Sequence, residues 1–338
     1  MKYHCSIHDI VKISSNFPFP GYEAGEVSDP DIVVEIIKDI NFNNSRLSKL
    51  DFWFYGKEGE DVVYYEDRIF GIDDKILLRN LKGKTEIHAT SGTLKIDRIY
   101  TPRSRESLRR LINTVVQIKQ IESGCLSIHA SCLAKDGEAI LLAAFPNVGK
   151  TLSTHQLLGS GFKYISDDTV LVDNKGVAYL TSFPSAVGYY DFLRFIKPKD
   201  IGVLRYYTSF VKSLFMHKSK LLNRILKPPH LVLGELYETV DKAKVRVVCT
   251  LEMGPKSIKK TEPEDMLKKI NAINEYCLPR FYANPFMKVY DYFNPGYIEG
   301  IREMERKNLS DFLFSCECYS LACNNWDWKS LLEEIGVI

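Results

Sequence analysis

Glycine, lysine and threonine in succession, where an apolar run turns polar, can hold phosphate. Gly149-Lys150-Thr151 stand at such a point in EAILLAAFPNVGKTLSTHQLL. In the pattern G-x-x-x-x-G-K-[ST], backbone N–H groups turn inward around a β-phosphate. The following helix adds the positive end of its dipole, the lysine a full charge, and the Ser/Thr hydroxyl a Mg²⁺ ligand. The loop here is Ala144-Phe145-Pro146-Asn147-Val148-Gly149-Lys150-Thr151, with Ala144 in place of the first glycine. A Cβ restricts the freedom that this position often needs, so Ala144 is a departure from the pattern. The residues expected at a nucleotide are Ala144, Asn147, Val148, Gly149, Lys150, Thr151 and Leu152. The expected ligands are ATP, or another nucleoside triphosphate, and Mg²⁺. The competing reading is a chance G-K-T at a helix start. An apolar strand ahead and an amphipathic helix behind weigh against it.

Asp167-Asp168 end an apolar run 16 residues after Thr151. Paired acids beside a phosphate loop can hold Mg²⁺ and accept a proton from an attacking hydroxyl. Alone they would read as a solvated turn; coupled to the loop they read as a site. His129 lies on the run before the loop, in SIHAS. A lone histidine in an apolar strand is usually a satisfied core residue.

These residues need elements to place them. EAILLAAF predicts a strand, and Lys150 to Leu158 a helix stopped by Gly159 and Gly161. CLSIHASCLA predicts the strand before, joined through Lys135-Asp136-Gly137, and YISDDTVLVD one strand after, turned by Asn174-Lys175-Gly176 into VAYLTSF. Residues 188–228 read as mostly helical up to Pro228-Pro229. VRVVCTLEM predicts a strand, EPEDMLKKINAIN a helix, and WDWKSLLEEIG a closing helix after one more strand. Ahead of all this, DIVVEII, DFWFYG, VVYYE, RIFGI, KILLR and TLKIDRIY suit strands, so residues 1–104 read as a small, mainly β domain. Thr101-Pro102-Arg103-Ser104 is the expected junction, with Ser104 capping the amphipathic helix SRESLRRLINTVVQIKQIES and Glu106 in its first turn. Residues 105–338 then form one α/β domain.

Composition narrows the class. A chain of 338 residues with 45% hydrophobic and 26% charged residues is ordinary for a globular protein. A net charge of +2 gives no reason for non-specific nucleic-acid binding. No apolar run reaches the roughly 18 residues of a membrane span, and MKYHCSIHDIV has no signal-peptide core, so no membrane association and a cytoplasmic location are expected. The eight cysteines form no C-x-x-C pair and read as reduced, mostly buried thiols.

His129, the AFPNVGKT loop and ISDDTVLVD, in this order and spacing, resemble the carboxy-terminal domain of the HPr kinase/phosphorylase family and its relatives. The resemblance is strong over roughly residues 125–175. It is fainter in VVCTLEMGPKSIKKTEPEDMLKKI, and in IVKISSNFPFPGYEAGEVSDPDIVVEI, which resembles the small leading domain of some relatives. It implies the HPr kinase and phosphoenolpyruvate-carboxykinase-like variant of the P-loop α/β fold, and an ATP-dependent kinase acting on a hydroxyl. It also implies roles. Lys150 would bind the β- and γ-phosphates, Thr151 and Asp167 would serve Mg²⁺, and Asp168 would be the base towards the acceptor, with the two aspartates interchangeable. His129 would sit beside the transferring phosphoryl group. VAYLTSFPSAVGYYDFLRF lacks the family's glycine- and arginine-rich signature, so another acceptor than HPr is expected: a serine of a protein or peptide, or a small-molecule hydroxyl. Lys199, Arg205, Lys212, Lys218, Lys220, Arg224 and Lys227, against the single acid Asp200, suggest an acceptor with negative charge, or else a solvated helix face. A nucleotide-sensing protein without turnover, favoured by Ala144, and a carboxykinase-like enzyme are the alternatives. Homo-oligomerisation stays open.

Overall fold

A computed structural model of the chain describes residues 1–19, 22–99, 108–180, 187, 189–218 and 231–337. The expected junction at Thr101–Ser104, the cap at Ser104, Glu106, and the basic residues Lys220, Arg224 and Lys227 lie outside the described residues. The protein is mixed α/β with two large mixed sheets. It divides into two compact units, Met1–Leu126 with Leu278–Asn308, and Ser127–Cys277 with Leu309–Ile338.

The first unit holds β1 (Tyr3–Ile7), β2 (Val11–Ser15), β3 (Glu23–Ala24), β4 (Ile32–Ile37), β5 (Ser48–Leu50), β6 (Trp53–Glu58), β7 (Glu60–Ile69), β8 (Ile72–Arg79) and β9 (Thr85–Thr90). They form one sheet in the order β3-β1-β2-β4-β9-β8-β7-β6-β5, parallel at β2–β4 and β4–β9. Alternation along the strands buries Val11, Ile13, Ile32, Val34, Ile87 and Ala89. Two expected strands are not strands. RIFGI carries the turn from β7 into β8, with Phe70 and Gly71 at φ 51° and 77°, the left-handed pair that a two-residue hairpin needs. Thr93–Ile99 of TLKIDRIY fall instead in α1 (Ser91–Ile99), and Tyr100 lies outside the described residues. Thr90 Oγ1 accepts from the Thr93 N–H at 3.4 Å, and Thr93 Oγ1 donates to the buried Asp74 at 2.8 Å. This local capping, with Thr93 and Ile96 buried three residues apart, overrides the strand-like alternation. In α2 (Leu108–Glu122), Leu108, Leu111, Ile112, Val115 and Ile118 are buried, at the helical spacing read from the sequence.

The second unit begins within β10 (Cys125–Ile128) and holds β11 (Ala130–Lys135), β12 (Glu138–Ala144), α3 (Lys150–Leu158), β13 (Lys163–Ser166), β14 (Val170–Asp173) and β15 (Val177–Tyr179). It continues with α4 (Tyr189–Arg194), α5 (Pro198–Ile201), α6 (Val203–Lys218), β16 (Lys242–Met253), β17 (Ser257–Lys260) and α7 (Pro263–Cys277). The chain then returns to the first unit as α8 (Pro285–Phe293) and most of α9 (Tyr297–Phe314), which seats Phe286 edge-on to Trp53 at 4.5 Å. It ends in the second unit with β18 (Glu317–Cys323) and α10 (Trp328–Glu334). The sheet runs β10-β14-β15-β16-β12-β11-β13, and β18 pairs with β16 and β17. CLSIHASCLA and YISDDTVLVD, each expected as one strand, are two strands apiece. They break at His129 and at 167–169.

β12 is buried at every position but its first, as a strand covered on both faces must be. It pairs in parallel with β16, and β16 with β18. Ile140, Leu142 and Ala144 pack in one cluster with Leu157 and Leu158 of α3 and with Trp328, Leu331 and Leu332 of α10. α7 lays its buried Met266, Ile270 and Ile273 against β12, β16 and β18. No helix among the described residues is long and apolar enough to cross a membrane.

Candidate functional site

Strand register brings three chain breaks to one edge of the second sheet. β11 is antiparallel to β12, with Ala130 opposite Ala143, so β11 starts where β12 ends. β13 is antiparallel to β11, with Cys132 opposite Ser166, so its last residue reaches the same edge. His129 precedes β11, the 144–151 loop follows β12, and Asp167-Asp168 follow β13. Residues far apart in sequence therefore meet.

Within the loop, Ala144 is the last residue of β12, fully buried and opposite Leu251. Its φ is negative, so no glycine is required there, and its Cβ belongs to the core cluster. Ala144 therefore gives no ground for a binding-only protein. The freedom is needed further on, at Asn147 (φ 67°) and Gly149 (φ 102°). Gly149 caps α3 and brings no side-chain acceptor, which leaves the first-turn N–H groups without a side-chain cap. Val148, Thr151 and Leu152 are half-buried around that helix end, and Asn147 is exposed. A Cβ on Gly149 would stand 2.8 Å from Trp326 Cδ1 and 3.0 Å from Trp328 Nε1. Gly149→Ala should therefore cost about 1–3 kcal/mol. At roughly 2–4 °C per kcal/mol in a domain of this size, calorimetry should show a drop of several degrees. An unchanged melting temperature would mean that the loop relaxes around the methyl group without strain.

Lys150 is buried, and its ammonium lies between the two acids. Nζ donates to Asp168 Oδ1 at 2.7 Å and to Asp167 Oδ1 at 3.2 Å. Asp167 is buried, and the same oxygen accepts from Ser131 Oγ at 2.5 Å. Ser131 in turn accepts from Thr154 Oγ1 at 2.8 Å, one turn along α3 from Lys150. Asp168 differs. Its side chain is 56% exposed, and its backbone sits at φ 68° in a tight turn closed by Thr169 N–H donating to Asp167 O at 2.9 Å. Aspartate tolerates this left-handed position better than most residues. One acid is thus fixed inside and its neighbour is presented outward, both sharing one cation. Thr151 and Asp167 offer the hard oxygen donors that suit Mg²⁺.

His129 joins this group. Burial holds its pKa below the ordinary 6.5, and the Lys150 charge pushes the same way. Asp168 opposes both, through its charge and through a hydrogen bond from the ring to its backbone. The ring is therefore kept neutral near neutral pH. Below 6.5 the unfolded chain takes up a proton that folded His129 resists, so stability present above 6.5 should fall with pH. His129→Gln removes that contribution. Urea titrations from pH 7 to 5 should show a shallower loss in the variant; identical losses would show that His129 titrates as if unfolded.

Four residues here escaped the sequence reading. Ser131 and His129 share the i, i+2 spacing in SIHAS, and Thr154 lies i+4 from Lys150, so both had a periodic signal. Asn274, on α7, had none. Its Oδ1 accepts the His129 N–H at 2.8 Å and its Nδ2 donates to Ser127 O at 3.3 Å, clamping the break between β10 and β11. Cys277 closes α7 nearby. Burial pushes its thiol up, the Lys150 charge pulls it back, and Asp168 raises it again.

No family model and no curated protein matches the sequence. Among solved structures the chain is similar to the HPr(Ser) kinase/phosphatase from Coxiella burnetii, at 12% identity and a TM-score of 0.23. The match covers 40% of this chain and 77% of that one.

Proposed function

We propose that this chain is a P-loop phosphotransferase that moves the γ-phosphoryl group of ATP, or of another nucleoside triphosphate, to a hydroxyl. The observation that carries the proposal is the Lys150 ammonium, held between Asp167 and Asp168 at the uncapped start of α3. A buried cation beside helix-start N–H groups that the cap residue's side chain does not occupy suits a polyphosphate. A carboxylate pair in its reach suits removal of a proton from an attacking hydroxyl.

In this mechanism phosphate oxygens draw the Lys150 ammonium away from Asp168, which is released towards the acceptor, while the bond to Asp167 persists. The acceptor oxygen bonds to the γ-phosphorus while the bond to the β–γ bridging oxygen breaks. The nucleoside diphosphate leaves, and the acceptor proton passes to the Asp168 carboxylate. Asp167, tied to Ser131 and through it to Thr154, stays in place and keeps the lysine registered with α3. His129 holds the Asp168 turn through its backbone hydrogen bond. Thr151 and Asp167 would hold Mg²⁺, which supplies positive charge to the phosphate oxygens. An acceptor with negative charge fits Lys199 and Lys212 on α5 and α6, whereas Arg205 is already paired with Glu235.

The test has two arms. Calorimetric titration with Mg²⁺ and a non-hydrolysable ATP analogue should give saturable binding at one site. Labelled ATP, offered with peptides, metabolites and RNA, should then yield a labelled acceptor. Absence of binding would sink the phosphate-loop reading. Binding without transfer to any acceptor or to water would leave a nucleotide sensor.

A further inference from the structure

β12, β16 and β18 run parallel, with Ala144 opposite Leu251 and Leu251 opposite Leu321. Their carboxyl ends therefore share one edge, where open α/β sheets bind ligands. The phosphate-loop candidate follows β12, and the segment Asn324-Asn325-Trp326-Asp327 follows β18. Side by side at that edge, the two segments touch. Trp326 and Trp328 are the side chains that a Cβ on Gly149 would strike. On the same segment opens a cavity of about 320 Å³, lined by Asn324, Asn325 and Asp327 with Lys256, Cys323, Ser330 and Leu331, and by neither tryptophan.

Three further facts give this place the character of a ligand site. Trp326 leaves 42% of its surface exposed and is held at φ 57°, a left-handed backbone that is costly for a bulky residue. Trp328 is fully buried, yet its Nε1–H has no acceptor among the described residues. Asn324 and Asn325 are exposed amides, each carrying both a donor and an acceptor, although Asn325 Oδ1 already accepts from the Asp327 N–H at 3.3 Å.

We propose that Trp326, Asn324 and Asn325 form the nucleoside subsite of the nucleotide whose phosphates the 144–151 loop takes, an inference that rests on the function proposed above. The planar base stacks on the Trp326 indole and its edge meets the two amides. Stacking on an aromatic side chain tolerates any base, whereas the amides supply the preference.

Inorganic tripolyphosphate separates the two halves of the site, because it has phosphates and no base. Calorimetric titrations of the full chain with ATP and with tripolyphosphate, both with Mg²⁺, provide the comparison. Trp326→Ala should weaken ATP about 10-fold or more and leave tripolyphosphate within about 2-fold. Trp326→Phe, which keeps a stacking face, should retain most of the ATP affinity. Asn324→Ala with Asn325→Ala should weaken ATP and flatten the discrimination between ATP and GTP. Unchanged ATP binding in Trp326→Ala would overturn this inference while the phosphate-loop reading stands. Equal loss of ATP and tripolyphosphate would also overturn it, by making the indole a prop for the loop. If the native chain binds neither ligand, the phosphate-loop reading itself falls.

Discussion

Replacing Lys150 with alanine should weaken nucleotide binding by about 10–100-fold, as loss of a charged hydrogen bond to phosphate does. Phosphoryl transfer should fall by a further factor of about 10²–10³, since the same charge meets the negative charge that develops in transfer. Calorimetry and labelled-ATP turnover read the two effects separately. Ordinary nucleotide affinity in the variant would dismiss the loop as a phosphate site.

The same substitution should also destabilise the protein, and this must be separated from binding. Asp167 is 5% exposed and shares Lys150 with Asp168. Removing one partner of a buried ion pair strands the other charge, at a cost of about 3–5 kcal/mol. Ser131 still donates to Asp167 Oδ1, so the lower end of that range applies. Lys150→Ala combined with Asp167→Asn removes the stranded charge, and should recover most of the stability while recovering none of the nucleotide affinity. A double variant that regains nucleotide binding would mean that Lys150 acts only by holding the fold.

How much of this the sequence carried depends on how local each feature is. The strand–loop–helix unit at 138–158 was legible because a buried strand, a glycine at φ 102° and a helix stopped at Gly159 all leave marks within a few residues. The acid pair was legible for the same reason, although not the turn at Asp168 that splits its strand in two. Local capping at Thr90 and Thr93 hid α1 behind an alternating pattern. Asn274, Cys277, Trp326 and Trp328 were beyond reach. They arrive at the 144–151 loop through the pairing of β12 with β16 and β18 and through α7, and no short window of sequence records those pairings. Ala144 shows the converse. The motif alone marks it as a defect, while its place at the end of a buried strand makes it a core residue.

Asp168→Asn should reduce transfer by about 10²-fold or more, the usual contribution of a positioned base. Asparagine suits this site as a probe. Like aspartate it accepts a left-handed backbone, so the turn at φ 68° and its Thr169-to-Asp167 hydrogen bond should persist. Its amide oxygen can still accept from Lys150, but as a neutral group that holds the ammonium less firmly. Nucleotide should therefore bind as well as before or slightly better, because phosphate oxygens compete with one charged acid instead of two. Asp168→Ala loses the turn preference along with the base, and should lose stability as well as turnover. Asp167→Asn should act differently: that oxygen meets Ser131 and Lys150 inside the protein, so its loss should raise the Mg²⁺ concentration needed for half-maximal transfer. Turnover measured across a Mg²⁺ series distinguishes the two acids. If both asparagine variants transfer at the native rate with the native Mg²⁺ dependence, the pair serves only to fix Lys150, and the proton must leave the acceptor by another route.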